Sequence, residues 1–359
     1  MSNATIVQAS KTVDETFEHM KKMLGKIVPE VELRIKAELA FKINQLKREK
    51  NAIILGHNYM DAALFNSVPD HVGDSLALAR LSAESDADII IFCGVKFMAE
   101  TAKILNPSRT VLIPSRDAGC SLAASITAED VRKVKAEFPG VPVVTYVNCY
   151  AEVKAETDVC CTSSNAAKVA MHLFDQGHDQ IIFLPDAYLT QNVAGDCGAE
   201  IVFPKVIGGP GKDALVDGKK TLISWNGTCE VHEKFSVDDI TTVRKQFPDT
   251  VVLAHPECKR EVIMEADYSG STSGMVKYVR DVDAPRYLIL TECAMGDNII
   301  AENPHREVLR LCSHRCPHMG EITLEDTLDA LENNRYEITL PEDLITRGRA
   351  SLDRMLEIN

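Results

Sequence analysis

The sequence predicts an α/β protein made of three similar αβα units, each built on a small parallel sheet. Short apolar runs without alternation, such as 52–55, take turns along the chain with helical patterns, which is typical of parallel strands buried on both faces. There is also an internal repeat, because the spacing of CPHMGEITLED, from Cys316, recurs in CSLAASITAED from Cys120 and in CEVHEKFSVDD from Cys229. Three domains fit a chain of 359 residues, which is too long for one ordinary core.

Each copy of the repeated segment contains a helix-start signal. The cysteine is followed seven residues later by Ser or Thr and ten residues later by Asp. A hydroxyl followed three residues later by an acid predicts an N-terminal capping box. The three pairs are Thr127 with Asp130, Ser236 with Asp239, and Thr323 with Asp326. Each cysteine is therefore expected in a loop that leads into a helix, and the three thiols can meet on one pseudo-threefold axis.

The three units contain a similar succession of elements. In the first, an amphipathic helix over 30–50 precedes strand AIIL, helix SLALARLSAES, strand DIIIFCG, helix MAETAKIL and strand TVLIPS. The second contains helix AEDVRKVKAEF, strand VPVVTYVN, a helix near Thr162, strand QIIFLP, helix AYLTQNVA and strand TLISW. The third contains helix VDDITTVRKQF, strand TVVLAHPE, a helix near Ser271, strand YLILTE and the segment VLRLCSHRC. A helix, a short strand YEITL and a final helix follow Thr323.

These elements predict five consecutive regions. They are an N-terminal helical arm (1–30), a first αβα repeat (31–125), a second (126–234), a third (235–321), and a C-terminal helical segment (322–359) that closes on the first repeat. The second repeat is about twenty residues longer than the third. The Gly/Pro-rich stretch GGPGKDALVDGKK predicts a loop or hairpin insertion near 198–221 that accounts for this difference.

Composition and charge argue against several classes of protein. A net charge of -14 without a Lys/Arg cluster argues against a nucleic-acid partner. No stretch reaches the about 18 apolar residues of a membrane span, and the N-terminus lacks the apolar region of a secretion signal, so we expect a cytoplasmic protein. Eleven cysteines are many for that compartment, which favours metal or redox chemistry for some of them. Cys93, Cys258 and Cys293 are interpreted as small buried apolar residues.

Polar residues end the first strand of every repeat. The matching pairs are His57 with Tyr59, Tyr146 with Asn148, and His255 with Glu257. Because ligands of parallel α/β sheets bind beyond the carboxyl ends of the strands, these side chains are candidates to face a central ligand. A second set of hydroxyls follows 17 or 18 residues later, near helix starts whose free N–H groups favour anions. This set is Ser75, Ser163 and Thr272.

Each of these residues also has a plain structural interpretation. The three hydroxyl residues are by default helix N-caps, a histidine at a strand end often only holds a hydrogen bond, and Tyr146 or Asn148 can tie a loop. Their recurrence in three repeats favours the functional interpretation. The chain has neither GxxxxGK nor GxGxxG after a strand, so nothing supports a nucleoside triphosphate or a dinucleotide as ligand.

The three repeated cysteines suit an iron-sulfur cluster better than zinc. Structural zinc sites use close CxxC pairs and four ligands, whereas Cys120, Cys229 and Cys316 lie far apart and have no evident fourth ligand. Three thiolates can hold a 4Fe-4S cluster whose fourth iron has no protein ligand. Cys312 rivals Cys316, but only Cys316 keeps the spacing to the helix acid. Such an iron would be a Lewis acid suited to elimination of water, with Glu257 as the best-placed carboxylate for acid/base work.

The ordered motifs of the chain resemble one enzyme family. GHNYM, GDSLALA, FMAETAKILNP, PSRDAGC, YVN, TSSNA, CEVHEKF, HPEC, STSGM and CPHMGEITL are similar, from Leu55 to Leu324, to the A-type quinolinate synthases of de novo NAD synthesis. The resemblance implies three αβα domains in pseudo-threefold arrangement around one 4Fe-4S cluster, whose three ligands fall on Cys120, Cys229 and Cys316. It implies a transferase that condenses iminoaspartate (iminosuccinate) with dihydroxyacetone phosphate to quinolinate, with loss of two waters and phosphate.

The resemblance also implies the residues that contact the substrates. They are His57, Tyr59, Ser75, Tyr146, Val147, Asn148, Ser163, His255, Pro256, Glu257 and Thr272. Glu257, Tyr59 and His57 are expected to be catalytic, and which of them moves which proton stays open. An aspartate oxidase or dehydrogenase is expected to supply the iminoaspartate.

The chain departs from some relatives near the last cluster ligand. Those relatives carry three closely spaced cysteines there, with a proposed redox role for the extra pair, whereas this chain has only Cys312 and Cys316. Oxidation of this pair would remove a cluster ligand, so Cys312 is interpreted as a structural residue.

Two other functions stay open at this point. One is another iron-sulfur hydro-lyase acting on a small hydroxy acid, which would need no phosphate site. The other is an iron or redox sensor, which would need an output surface such as a basic DNA-binding helix that the acidic chain does not offer.

Overall fold

Three N-terminal helices precede the first sheet. The computed structural model describes residues 3–358, so residues 1, 2 and 359, the outer ends of the predicted arm and C-terminal segment, lie outside the described residues. The helices are α1 (Asn3–Gln8), α2 (Val13–Leu24) and α3 (Glu30–Glu49). α2 packs against α3 and buries Phe17 and Met20, and α3 buries Leu33 and Ile43.

The first sheet has four parallel strands. In chain order this unit contains β1 (Ala52–His57), α4 (Ala62–Phe65), β2 (His71–Gly73), α5 (Ser75–Ala83), β3 (Ile89–Cys93), α6 (Lys96–Leu105) and β4 (Thr110–Leu112). The strand order is β2-β1-β3-β4. Ile54, Ile90 and Ile91 of its central strands are fully buried, as the unbroken apolar runs predict.

The second sheet has five parallel strands. The unit contains α7 (Ala128–Glu137), β5 (Val143–Tyr146), α8 (Ala151–Lys154), β6 (Val159–Cys161), α9 (Ala166–Asp175), β7 (Gln180–Leu184), α10 (Ala187–Cys197), β8 (Glu200–Val202) and β9 (Thr221–Ser224). The strand order is β6-β5-β7-β9-β8. The segment 198–221 adds β8 as an edge strand parallel to β9, so it is not the hairpin that the sequence suggested as one alternative.

The third sheet repeats the order of the first. The unit contains α11 (Val237–Gln246), β10 (Thr250–Ala254), α12 (Arg260–Glu265), β11 (Tyr268–Ser269), α13 (Thr272–Asp281), β12 (Arg286–Leu290), α14 (Cys293–Glu302), β13 (Val308–Arg310) and α15 (Pro317–Gly320). The strand order is β11-β10-β12-β13, again all parallel. The predicted α/β class with three small parallel sheets flanked by helices is confirmed.

Two helices close the chain, α16 (Leu324–Asn333) and α17 (Glu342–Glu357). α16 packs on α3 and β3, whereas α17 contacts α6 of the first unit and α8 and β6 of the second. The prediction of a strand over YEITL is wrong. This segment forms only one isolated antiparallel bridge, between Glu337 and Leu112 at the edge of the first sheet. No helix within residues 3–358 is long and apolar enough to cross a membrane.

The repeated helix starts form as the sequence predicts. Thr127 and Asp130 make a reciprocal capping box at α7, and Ser236 and Asp239 make one at α11. At α16 the Thr323 hydroxyl accepts the backbone N–H of Asp326. Cys120, Cys229 and Cys316 therefore stand at equivalent places ahead of three helices.

Candidate active site

One central cavity gathers side chains from all three units. Its wall contains nine of the eleven predicted substrate-binding residues: His57, Tyr59, Ser75, Tyr146, Asn148, Ser163, His255, Glu257 and Thr272. Cys120, Cys229 and Cys316 line the same cavity. These residues meet because the carboxyl ends of β1, β5 and β10, the equivalent strands of the three sheets, point to one place.

The other two predicted residues lie beside the wall and contribute to the loops that shape it. The carbonyl of Val147 accepts a hydrogen bond from the buried Lys154 Nζ at 3.0 Å. The carbonyl of Pro256 accepts one from Asn192 Nδ2 at 2.8 Å. Neither Val147 nor Pro256 lines the cavity.

The three hydroxyl residues of the wall are not helix N-caps, so the default interpretation is wrong for them. Asp74 caps α5 and Ser271 caps α13, which makes Ser75 and Thr272 the first helical residues. Ser163 lies in the turn before α9. The adjacent residues act as N-caps, so the hydroxyls of these three residues are not used for capping. They lie at the cavity wall next to the free N–H groups of the helix starts.

The first and third units are joined beside the cavity. Asn58 Nδ2 donates to Thr272 Oγ1 at 2.8 Å, and the Ser271 hydroxyl donates to Asp74 Oδ2 at 3.0 Å. Asn298 Nδ2 donates to the carbonyl of Asn58 at 3.1 Å. These bonds hold the starts of α5 and α13 next to each other.

Glu257 is the central carboxylate of the cavity and is only 3% exposed. Its Oε1 accepts from Asn148 Nδ2 at 2.9 Å, and its Oε2 lies 2.6 Å from His232 Nδ1. Burial alone would raise the pKa of this carboxyl, but the interactions with His232 and His255 beside it, together with hydrogen bonds from His232 and Tyr146, lower the pKa to about 2. The group is therefore an ionised acceptor at neutral pH.

Tyr59 lines the same cavity as Glu257, and its phenol contacts Thr291, which lies outside the cavity wall. Its Oη lies 2.5 Å from Thr291 Oγ1, and Thr291 Oγ1 lies 2.8 Å from His232 Nε2. Burial and the charge of Glu257 raise the pKa of Tyr59 well above its usual value. The phenol stays protonated and can act as an acid or as a hydrogen-bond donor.

The two strand-end histidines are buried and share one arrangement. The backbone N–H of Tyr59 donates to His57 Nδ1 at 3.2 Å, and that of Glu257 donates to His255 Nδ1 at 3.4 Å. Because Nδ1 accepts, the proton of each neutral ring sits on Nε2. Burial lowers the pKa of His57 to about 4 and that of His255 to about 3, so both rings are neutral at pH 7.

The three repeated cysteines are free thiols of intermediate burial. Burial raises the pKa of Cys120 to about 12 and that of Cys316 to about 11, and it raises the pKa of Cys229 well above the usual value. Thiolates in such surroundings need a cation beside them, and a metal supplies that charge.

Two further cysteines are paired outside the cavity wall. Cys293, expected to be a free buried apolar residue, is buried but forms a disulfide with Cys312, with a Cα–Cα distance of 5.0 Å. Cys316, in contrast, keeps its free thiol at the cavity, and the choice of Cys316 over Cys312 as a cluster ligand stays a prediction. Cys93 and Cys258 are fully buried, as expected.

Comparison with known proteins identifies the family. The family model described as NadA, quinolinate synthetase A protein, matches residues 41–357. This chain belongs to the quinolinate synthetase A family. Quinolinate synthase 2 of Mesorhizobium japonicum is 47% identical over 333 residues, which cover 93% of this chain and 95% of the relative. Quinolinate synthase of Caulobacter vibrioides is 46% identical over 332 residues, covering 92% and 84%. Quinolinate synthase of Xylella fastidiosa is 48% identical over 316 residues, covering 88% and 86%.

Sequence reasoning missed several residues at this quinolinate synthetase A cavity, and three of them surround its catalytic candidates or thiols. His232 and Glu292 line the wall, and Thr291 lies behind it. His232 stands three residues after Cys229, where the other two copies of the repeat have Ala123 and Met319. The signal that could have revealed His232 is this change from an apolar to a polar residue. The other two repeats fold with apolar residues at the same position, so packing does not require a histidine there.

The donor set of this quinolinate synthetase A cavity fits a metal group. Three free thiols, one from each unit, line a single cavity. The Cys229 Sγ, a ring nitrogen of His232 and a carboxylate oxygen of Glu257 also lie within 4.8 Å of one another. His232 and Glu257 are already bonded to each other, and the Cys229 thiol lies 3.1 Å from His232 Nδ1, so the three soft thiols are the donors best suited to a metal group.

Proposed function

We propose that this enzyme acts as a quinolinate synthase in NAD biosynthesis and condenses iminoaspartate with dihydroxyacetone phosphate. The products are quinolinate, two waters and phosphate, and the formation of a carbon–carbon bond makes the enzyme a transferase. The observation that carries the proposal is the convergence of nine predicted polar residues and three cysteines on one cavity. Family membership supports the same reaction.

The cofactor in this proposal is one 4Fe-4S cluster per chain, held by Cys120, Cys229 and Cys316. Support comes from the three free thiols on one wall and from the bonding of Cys312 to Cys293 elsewhere. When bound, the cluster would supply an iron without a protein ligand, a Lewis acid for a substrate oxygen.

The cavity is suited to bind substrate anions through helix N-termini. None of the described residues that line it is Lys or Arg. α5 and α13 both begin at the wall, with Ser75 and Thr272, and the N–H groups of a first helical turn carry partial positive charge. We assign the carboxylate and phosphate groups to these two starts and to Ser163, with His255 Nε2 as a further donor.

The proton assignments follow from opposite environments. Glu257 is ionised because its pKa is lowered to about 2, so it is the base. Tyr59 is protonated because its pKa is raised well above its usual value, so it is the acid. His57, neutral with its proton on Nε2, donates a hydrogen bond to bound substrate.

The substrates and cofactor are tested by one anaerobic assay. Cluster-loaded protein is incubated with dihydroxyacetone phosphate and with iminoaspartate formed from oxaloacetate and ammonia, and quinolinate and phosphate are measured. We expect equal amounts of both products and about four irons and four sulfides per chain. Fully loaded protein that makes no quinolinate would overturn the proposal.

Omission of dihydroxyacetone phosphate separates the rival enzyme class. A hydro-lyase acting on a small hydroxy acid would turn over without a phosphorylated substrate, whereas the proposed condensation stops. The supply of iminoaspartate by an oxidase or dehydrogenase and the cytoplasmic location stay predictions. So does the absence of a nucleic-acid partner, for which the charge of -14 is the support.

A further inference from the structure

We propose that Asn298, Asn192 and Lys154 are positioning residues, each of which clamps the backbone of one polar residue of the cavity wall. A clamp here means one side-chain nitrogen that donates to the carbonyls on both sides of a residue. This inference rests on the proposed roles of Tyr59 and Glu257 and deepens them. The three clamping side chains are at most 4% exposed, and none of them lines the cavity. They therefore act on the reaction only through the residues that they hold.

The first clamp holds Tyr59. Asn298 Nδ2 donates to the carbonyl of Asn58 at 3.1 Å and to that of Met60 at 2.9 Å, the residues directly before and after Tyr59. An amide nitrogen has two hydrogens, so it serves both carbonyls at once. The other end of the amide is also in contact, because Asn298 Oδ1 lies 3.5 Å from Asn66 Nδ2.

The second clamp holds Glu257 in the same way. Asn192 Nδ2 donates to the carbonyl of Pro256 at 2.8 Å and to that of Cys258 at 3.0 Å, the residues directly before and after Glu257. Arg260 Nη1 donates to Asn192 Oδ1 at 3.4 Å. This contact orients the amide with its nitrogen toward the two carbonyls.

The third clamp holds Asn148, which donates to Glu257 Oε1 at 2.9 Å. The nitrogen is here Lys154 Nζ, which donates to the carbonyl of Val147 at 3.0 Å and to that of Cys149. Lys154 is fully buried, and the two carbonyls offset the cost of taking its polar end out of water. The partner of the base is therefore held like the base itself.

A clamp of this kind sets the direction of the side chain between its two carbonyls. Each carbonyl belongs to a planar peptide unit, so holding one unit before a residue and one after it restricts the backbone at that residue. Without the donor, two carbonyls beside the cavity lose their partner, and the turn moves to find another one. A displacement of about 1 Å at a reacting group lowers the rate by up to about 10²-fold.

The two asparagines occupy equivalent positions in their units. β7 ends at Leu184 and β12 ends at Leu290, and an asparagine follows each of them by eight residues, in α10 and α14. Each asparagine reaches into another unit, since α10 of the second unit clamps the third and α14 of the third unit clamps the first. A clamp between units is therefore a recurring feature of the repeat.

The first unit lacks this asparagine. Its middle strand β3 ends at Cys93, and the residue eight positions later is Thr101, whose hydroxyl donates to the Phe97 carbonyl within α6 at 2.8 Å. By the order of the repeat, this helix would serve the strand end of the second unit, and there Lys154 supplies the donor from α8. One lysine and two asparagines thus make the same pair of bonds, which favours a role at the strand ends over incidental packing.

The test uses Asn298→Leu and Asn192→Leu, which remove the donors with little change in side-chain size. We expect each variant to lower kcat for quinolinate about tenfold to a hundredfold and to change KM for both substrates by less than about threefold. Asn298→Ala and Asn192→Ala, which leave room for a water beside the carbonyls, replace them if the leucine variants do not fold.

Asn44→Leu is the matched control. Asn44 is 3% exposed, and its Nδ2 donates to the Ser67 carbonyl at 3.1 Å, outside the cavity wall. Its kcat should change by less than about twofold. Unchanged kcat in both clamp variants, or an equal loss in the control, overturns the proposal.

A double-mutant cycle shows whether each clamp acts through its own residue. In a Tyr59→Phe background, Asn298→Leu should lower kcat by less than about a further twofold, because the phenol that it positions is gone. Asn192→Leu should keep its full loss in this background, since it acts through Glu257. Equal further losses from the two variants overturn the proposal.

A readout that needs no turnover separates this inference from the proposed function. Backbone hydrogen exchange is followed by mass spectrometry in anaerobically purified protein without substrate. Asn298→Leu should raise exchange about tenfold or more in 57–60 and leave 255–258 unchanged, and Asn192→Leu should do the reverse. A rise in both segments, or in neither, overturns the inference. The expected pattern in a protein that makes no quinolinate overturns only the proposed reaction.

Discussion

Glu257→Gln removes a charge from the cavity without changing the size of the side chain. Glu257 accepts from Asn148 Nδ2 at 2.9 Å and from His232 Nδ1 at 2.6 Å, in addition to the hydrogen bond from Tyr146. The glutamine amide has one oxygen, which accepts, and one NH2 group, which donates. Whichever way the amide is turned, its NH2 group points at one of the two groups, Asn148 Nδ2 or His232 Nδ1, that donated to the carboxylate. The variant therefore loses both the base and at least one of the hydrogen bonds that fix the side chain.

The structure gives the size of the expected effects. Loss of a general base lowers kcat by about 10²–10⁴-fold. The pKa of Glu257 is lowered from its usual 4.5 to about 2, and at about 1.4 kcal/mol per unit the folded state gains roughly 3 kcal/mol from the ionised form. A depressed folded pKa gives stability that is complete above about pH 4.5 and is lost as the pH falls toward 2. Glu257→Gln should thus be less stable than the wild type at pH 7, with about 3 kcal/mol as the upper bound because His255 is neutral at that pH.

The assay measures kcat for quinolinate, iron and sulfide content, and the free energy of unfolding of the cluster-free protein in denaturant. We expect normal iron with the loss of kcat given above. Glu100→Gln is the matched control, because Glu100 is 5% exposed, lies outside the cavity wall and accepts from the backbone N–H of Ala151, as an amide oxygen can. A Glu257→Gln enzyme that keeps more than about a tenth of wild-type kcat would refute the role of base, and so would an equal loss of cluster and activity.

Three further predictions test the thiols, a buried acid and a helix start. Cys316→Ser should lose iron and sulfide while Cys312→Ser keeps them, since Cys312 is bonded to Cys293; iron loss from Cys312→Ser would contradict the ligand assignment. Burial raises the pKa of Glu292 to about 7, so its charge destabilises the folded state above that pH and the penalty fades as the pH falls toward 4.5. Glu292→Gln should therefore stabilise the cluster-free protein by about 3 kcal/mol at pH 8 and by less than about 1 at pH 5, measured by denaturant unfolding; a constant difference would contradict the burial argument. Ser236→Ala should cost about 1 kcal/mol by the same measurement with kcat unchanged, because it removes the cap of α11, and an unchanged midpoint would show that the box contributes nothing.

Much of the fold could be predicted because it depends on local patterns. Unbroken apolar runs predicted the central strands, and Ser236 with Asp239 predicted the start of α11, since a cap is made by residues three apart. The strand YEITL was wrong for the complementary reason. Its composition favours a strand, but Glu337 meets the edge of the first sheet at a single bridge, and pairing depends on the partner that is available.

The candidate site could be predicted as far as the repeat carries it. Three copies of one unit place equivalent residues at equivalent distances from an axis, so Cys120, Cys229 and Cys316 were found from their spacing alone, and the structure brings them to one cavity. Residues that exist in one repeat only, such as His232, have no counterpart at equivalent spacing, so the repeat could not select them. Cys312 was compared with Cys316, four residues away, whereas its partner is Cys293 on another element.

The sequence by itself therefore determined the three α/β units, their helix starts and the set of residues at their strand ends, because each depends on periodicity or spacing within one repeat. Tertiary structure alone decided that His232 holds Glu257 and that Thr291 holds Tyr59. These partners lie 25 and 232 residues apart in the chain and come within hydrogen-bonding distance only when the units pack around a common centre. No local pattern encodes that approach, since it is set by the packing of one unit on another.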